Sequence, residues 1–183
     1  TINKDTDFLF IGHLRKDKGI EFLLDVWKDF YSINQNAQLK VCGQKLKGTE
    51  FDEKELSKYN IEFNLCFIAD DEYYRYVKSA RYVVLPYLQG TNSGIISTVL
   101  SLGTDVITSD IPMFKENPLV SKHNMFICGN KKSLIDKLQE VVNRNNTIPS
   151  TLLHKYRISF ADSVVKVYEG IVEKKQDQSL CGK

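Results

Sequence analysis

Nothing in this sequence pairs its cysteines. Cys42, Cys66, Cys128 and Cys181 lie far apart, with no C-x-x-C spacing to suggest a zinc site or a redox pair, and a disulfide framework of the kind that staples small secreted domains is equally unsupported. Cys42, Cys66 and Cys128 fall in expected strands, where a free thiol behaves as a small hydrophobe, and the compartment this points to is a reducing cytosol. No apolar run nears the roughly 20 residues that a membrane helix needs, and Thr1 to Asp7 is polar, so no signal peptide is read there. Charge of one sign is also scarce: a formal net charge of +2 is too small an excess to argue for nucleic acid. Absent too are G-x-G-x-x-G and G-x-x-x-x-G-K-[ST], the common phosphate grips of nicotinamide and ATP proteins.

What remains is a chain of 183 residues, 42% hydrophobic and 26% charged, enough for one domain with a sizeable core. It is organised around Arg81 to Asp110. Tyr82 to Leu85 is a β-branched run stopped by Pro86, Leu88 to Asn92 is a polar loop, Ile95, Val99 and Leu102 recur at helical spacing up to Gly103, and Asp105 opens another strand. Ser93 is a good N-cap and Gly94 admits close backbone approach, so the helix start faces outward from the end of a strand, where anions are favoured. Before this segment, Asp7–Ile11, Gln38–Cys42 and Ile61–Ile68 read as strands. Helices follow Gly19 and Asp70, with a short one across Asp52 to Lys58. Beyond it, a short helix over Ile111 to Glu116, a strand from Met125 to Cys128 and a helix carrying Leu134, Leu138 and Val141 continue the alternation, and a last helix carries Val164 to Val172. Residues 1–175 are expected to form one domain and 176–183 a disordered tail.

Short apolar strands alternating with helices call for a doubly wound α/β fold, a parallel sheet covered on both faces. Ligands of such sheets sit beyond the carboxyl ends of the strands at the switch in strand order, which here gathers the loops at Gly12, Gly43 and Leu88–Gly94. The first of these loops reads Gly12-His13-Leu14-Arg15-Lys16-Asp17-Lys18-Gly19. Its cations, facing the Ser93 helix start, suit a ligand carrying two phosphates, the alternative being a solvated charged turn. Tyr73, Tyr74 and Tyr76 suit packing and an exposed rim, and Asp70, Asp71 and Glu72 suit the first turn of a helix rather than a metal site.

The order Gly12-x5-Lys18-Gly19, Asn60-Ile-Glu-Phe, Asp71-Glu72-Tyr73 with Ser79-Ala80-Arg81, Leu85-Pro86-Tyr87, Ser93-Gly94 and Gly103-x-Asp-Val-Ile resembles the carboxy-terminal half of glycosyltransferase family 4, the GT-B-fold "group 1" enzymes. The resemblance runs from about Asp7 to Asn143. It implies a Rossmann-like, donor-binding domain for a nucleotide sugar, with Arg15 and Lys18 as the catalytic clamp on the donor diphosphate. Gly12, His13, Gly43, Gln89, Thr91, Asn92, Ser93, Gly94 and Thr98 would surround the donor. His13 stands where most members carry an arginine, and a turn role is its alternative. The family's paired glutamates would fall at Gly90 and Thr98, neither of which is acidic, so ribose or sugar contacts would come from neutral groups. The resemblance further implies no metal or other cofactor, an acceptor-binding domain missing from this chain, and a glycan or lipid-linked acceptor. Transfer would proceed with retention in a cytoplasmic protein, or at the inner face of the membrane, in bacterial surface polysaccharide assembly. The isolated chain is then expected to bind donor and transfer little. A degenerate interaction module and a nucleotide-sugar epimerase-type domain stay open beside it.

Overall fold

The computed structural model describes residues 4–90 and 94–143. Of the loop expected from Asn143 to Ser150 only Asn143 is described, and it closes a helix instead; the rest of that loop, the last helix and tail, and the candidates Thr91, Asn92 and Ser93, lie outside the described residues.

Six strands, β1 (Thr6–Ile11), β2 (Leu39–Cys42), β3 (Ile61–Asn64), β4 (Ala80–Leu85), β5 (Asp105–Ser109) and β6 (Met125–Phe126), form one sheet in the order β3-β2-β1-β4-β5-β6. All of its pairs are parallel. Strand order reverses between β1 and β4, which pair with Phe8 opposite Tyr82 and Leu9 opposite Val83. The helices are α1 (Ile20–Ile33), α2 (Glu53–Ser57), α3 (Asp70–Ser79), α4 (Ile95–Ser101), α5 (Pro112–Lys115) and α6 (Lys131–Asn143).

The central strands are apolar on both sides because helices cover both sides. Phe8, Phe10, Leu39, Val41, Tyr82, Val84 and Ile107 join Ile20, Leu23, Leu24, Trp27 and Phe30 of α1 and Leu134, Leu138 and Val141 of α6 in one buried cluster. Phe8 sits at its centre, with the rings of Trp27 and Phe30 edge-on at 5.6 and 6.0 Å and that of Tyr82 stacked at 6.0 Å. Buried in this way, Trp27 still satisfies its indole by donating to the Tyr59 carbonyl at 2.8 Å. Asp52 caps α2 by accepting from the amides of Lys54 and Glu55.

Two strands are shorter than their apolar alternation predicts. The third was expected to reach Ile68, but it ends at Asn64, opposite Cys42, the last residue of its one partner among the described residues, β2. Alternation beyond that point has no ladder to join. Phe67 is accordingly 80% exposed, and Cys66 lies in an exposed loop, its thiol donating to Asn64 Oδ1 at 2.8 Å, rather than in a strand. The sixth strand was expected to include Cys128 and stops at Phe126, opposite Ser109, where β5 itself ends.

Candidate functional site

The loop after β1 is built outward from one buried residue. Gly12, at φ +128°, ends the strand while its amide donates to the Cys42 carbonyl at 3.0 Å. Leu14, fully buried, then bridges to Lys45: its amide donates to the Gln44 carbonyl at 3.0 Å, and its own carbonyl accepts from the Leu46 amide at 3.2 Å and from Thr49 Oγ1 at 2.9 Å. With Leu14 pinned inward, Arg15 and Lys16 are exposed at the end of the sheet. A single 3₁₀ turn, Lys16–Lys18, leads to Gly19. There φ is +70°, and a Cβ would lie 1.9 Å from the Pro86 carbonyl oxygen. Only glycine allows this loop to rest on the exit of β4.

That exit grips back. The Leu88 amide donates to the Asp17 carbonyl at 2.9 Å, with the Gln89 amide at 3.4 Å from the same oxygen. The Tyr87 carbonyl accepts from Ser109 Oγ at 2.5 Å, and its ring packs on Phe114 with centroids 5.3 Å apart. The loops after β1 and β4 are thus one unit, at the point where strand order reverses.

On this unit the charges fall into a cluster. Arg15 Nε donates to Asp17 Oδ1 at 2.8 Å, and its Nη2 donates to Oδ2 of the same carboxylate. That fork raises the affinity of the guanidinium for its proton and holds the Asp17 carboxyl below its ordinary value. Lys18 Nζ lies 3.8 Å from the centroid of the Tyr87 ring. Burial there lowers the lysine's proton affinity, with Asp17 opposing the change and Arg15 adding to it.

The other predicted site residues divide. Gly12 and His13 are exposed beside this charge cluster, and the His13 side chain has no hydrogen-bond partner among the described residues. Gly43, at φ +136°, is buried against the Gly12 carbonyl, where a Cβ would lie 1.9 Å from the oxygen; it spaces two loops. Gln89 is exposed on the second loop. Gly94 opens α4 with nothing within 4 Å of a would-be Cβ. Thr98 Oγ1 donates to the Gly94 carbonyl at 3.3 Å, committing its proton to its own helix. Sequence reasoning passed over Asp17 and Tyr87. The first was signalled by a carboxylate between two cations; the second needed the β1–β4 pairing. A cavity of about 420 Å³ lined by Asp110, Lys115, Lys122, Met125, Phe126, Ile127 and Ser133 lies at the end of β5 and β6 and includes none of the predicted residues.

Among the described residues, no helix is long and apolar enough to cross a membrane. Residues 5–144 match the family described as glycosyl transferases group 1. Among solved structures, the chain is similar to TarM, with 13% identity and a TM-score of 0.67 over 97% of this chain and 35% of that one. It is similar to Anabaena HepE in complex with UDP and glucose, with 17% identity and a TM-score of 0.70 over 95% of this chain and 49% of that one. It is also similar to the pneumococcal O-GlcNAc transferase GtfA in complex with UDP and GlcNAc, with 10% identity and a TM-score of 0.72 over 94% of this chain and 36% of that one. At these identities the likeness is one of fold, and the chain spans half or less of the length of each. No curated protein matches the sequence.

Proposed function

Since the chain belongs to the glycosyl transferases group 1, we propose that its switch point holds the diphosphate of a nucleotide-sugar donor between Arg15 and Lys18. The observation that carries this reading is the charge cluster itself, two cations on a loop clasped to the exit of β4 at the reversal of strand order. Transfer breaks the bond between the anomeric carbon and the diphosphate oxygen, and the electron pair leaves with the nucleotide diphosphate. Fixed cations beside that oxygen stabilise the growing charge more than the ground state. Lys18 is poised for this work, whereas Arg15 must share or exchange its bond to Asp17. The chain acts as the carboxy-terminal, donor-binding half of a family 4 enzyme working with retention and without a metal. A separate domain would bring a glycan or lipid-linked acceptor in a cytoplasmic, membrane-facing synthesis of surface polysaccharide, and this chain alone would transfer little.

A second reading, a domain that has lost turnover and serves as an interaction module, is favoured by Gly90 and Thr98. Neither supplies a carboxylate, and Thr98 spends its hydroxyl proton on α4. Calorimetric titration with UDP, GDP and ADP separates the two. One diphosphate is expected to bind, UDP being the first to try because HepE and GtfA were solved with it. Lys18→Ala should then weaken binding by roughly 1.5–3 kcal/mol, the worth of a charged hydrogen bond, and Arg15→Ala should weaken it too. No binding of any of the three at millimolar concentration overturns the donor reading for this chain.

A further inference from the structure

The two cations of the clamp are restrained in different ways. Arg15 is tied by two hydrogen bonds to a carboxylate, a partner that competes directly with an arriving anion. Lys18 is restrained by a ring face, 3.8 Å from Nζ to the centroid. A ring attracts an ammonium through its quadrupole but accepts no conventional hydrogen bond, so the N–H groups stay available to an anion.

We propose that Tyr87 is the positioning residue for Lys18, an aromatic platform that holds the ammonium where the diphosphate arrives; this rests on the donor-binding reading of the switch point. A loop lysine has four rotatable side-chain bonds and loses much freedom when ordered. Here the ordering is done before the ligand comes. The lysine's main chain is fixed because Gly19 lies against the Pro86 carbonyl and the Asp17 carbonyl accepts from the Leu88 amide. Its ammonium is fixed by the residue between those two, Tyr87. The platform itself is rigid: 5% exposed, packed on Phe114, with its carbonyl bound by Ser109 Oγ and approached by Cys128 Sγ at 3.6 Å. A pre-ordered cation converts more of its attraction for phosphate into affinity. The ring face is the part that meets the ammonium.

The test is a double-mutant cycle on the full chain, read by UDP titration and by NMR of the Lys18 ε-methylene in the ligand-free protein. Tyr87→Met, which fills much of the space without a ring, should weaken UDP binding about five- to tenfold. Tyr87→Phe should restore affinity to within about twofold. In a Lys18→Ala background Tyr87→Met should cost nothing further, since the two residues act as one. In the wild type the Lys18 ε-methylene protons should lie upfield of ordinary lysine positions, and that shift should vanish in Tyr87→Met and persist in Tyr87→Phe. Equal losses from Tyr87→Met with and without Lys18, or failure of Tyr87→Phe to restore binding, would overturn the proposal. So would an unshifted ε-methylene in the wild type, which decides the matter even if Tyr87→Met does not fold. A wild-type chain that shows the shift but binds none of UDP, GDP and ADP overturns the donor reading instead, leaving the lysine platform in place.

Discussion

The loops after β1 and β4 meet at the same end of the same sheet, yet they are made of opposite materials. The first carries the cations and the one carboxylate of the clamp, and it is laced to its surroundings by backbone bonds at Gly12, Leu14 and Gly19. The second, from Pro86 to Gly94, carries no charged side chain at all. It offers a ring, a carbonyl and two amides, against which the charged loop rests. Charge and the support of charge come from different strands, so the proposed site would need both loops.

The largest break in that arrangement should come from Gly19→Ala. A methyl there must both adopt a left-handed backbone and enter the space of the Pro86 carbonyl, a loss of about 4 kcal/mol in urea unfolding. Gly12→Ala sharpens the point, because Gly12 has positive φ without a neighbour within 4 Å. Its cost should be the backbone strain alone, about 2 kcal/mol. A Gly12 variant as damaged as the Gly19 variant would mean that the clasp to β4 carries little of the stability.

Asp17→Asn should act next, and in the opposite direction on binding. With the competing carboxylate gone, UDP affinity should rise about threefold, the scale of an exposed ion pair; a fall would assign Asp17 to the orientation of Arg15. The same variant tests a pH dependence. Because Arg15 holds the folded-state value of Asp17 below 3.8, the pair's contribution to stability is present above that pH. It is lost as pH falls through the depressed value. Thermal melts below pH 4 should therefore show a shallower decline in Asp17→Asn than in the wild type. The smallest effect belongs to Gln89→Ala. Exposed and neutral, Gln89 donates only its amide to the clasp, so UDP affinity should change by less than about twofold.

Much of this fold could be read from spacing. The helix expected after Gly19 is α1, that with the acidic start at Asp70 is α3, and Asp105–Ser109 is the strand its β-branched residues suggest. Edge strands were misjudged because the length of a strand is a property of a pair. Leu65 and Phe67 alternate correctly, but β2 turns away at Gly43 and leaves them nothing to bond. At the site, Arg15 and Lys18 were legible as cations near a strand end, and the structure brings them together. Their restraints were not legible, since the Lys18–Tyr87 contact depends on the register of β1 against β4. The bond from the Thr98 hydroxyl to the Gly94 carbonyl was likewise set by α4 and not visible in the sequence.

The reversal in strand order also dictates when the clamp can exist during folding. β1 and β2 join early in the sequence, but β1 reaches its other neighbour only across a long span, as in the bond from Arg81 Nη1 to Asp7 Oδ1 at 3.0 Å between residues 74 apart. Long-range pairings pay loop-closure entropy before they return any contact, and they tend to be slow. The emerging chain presents Arg15 and Lys18 well before Tyr87 exists to receive them. If, as proposed, a diphosphate needs both strands, it would have no purchase on a half-made chain, and its binding during refolding would time the closure of β1 onto β4.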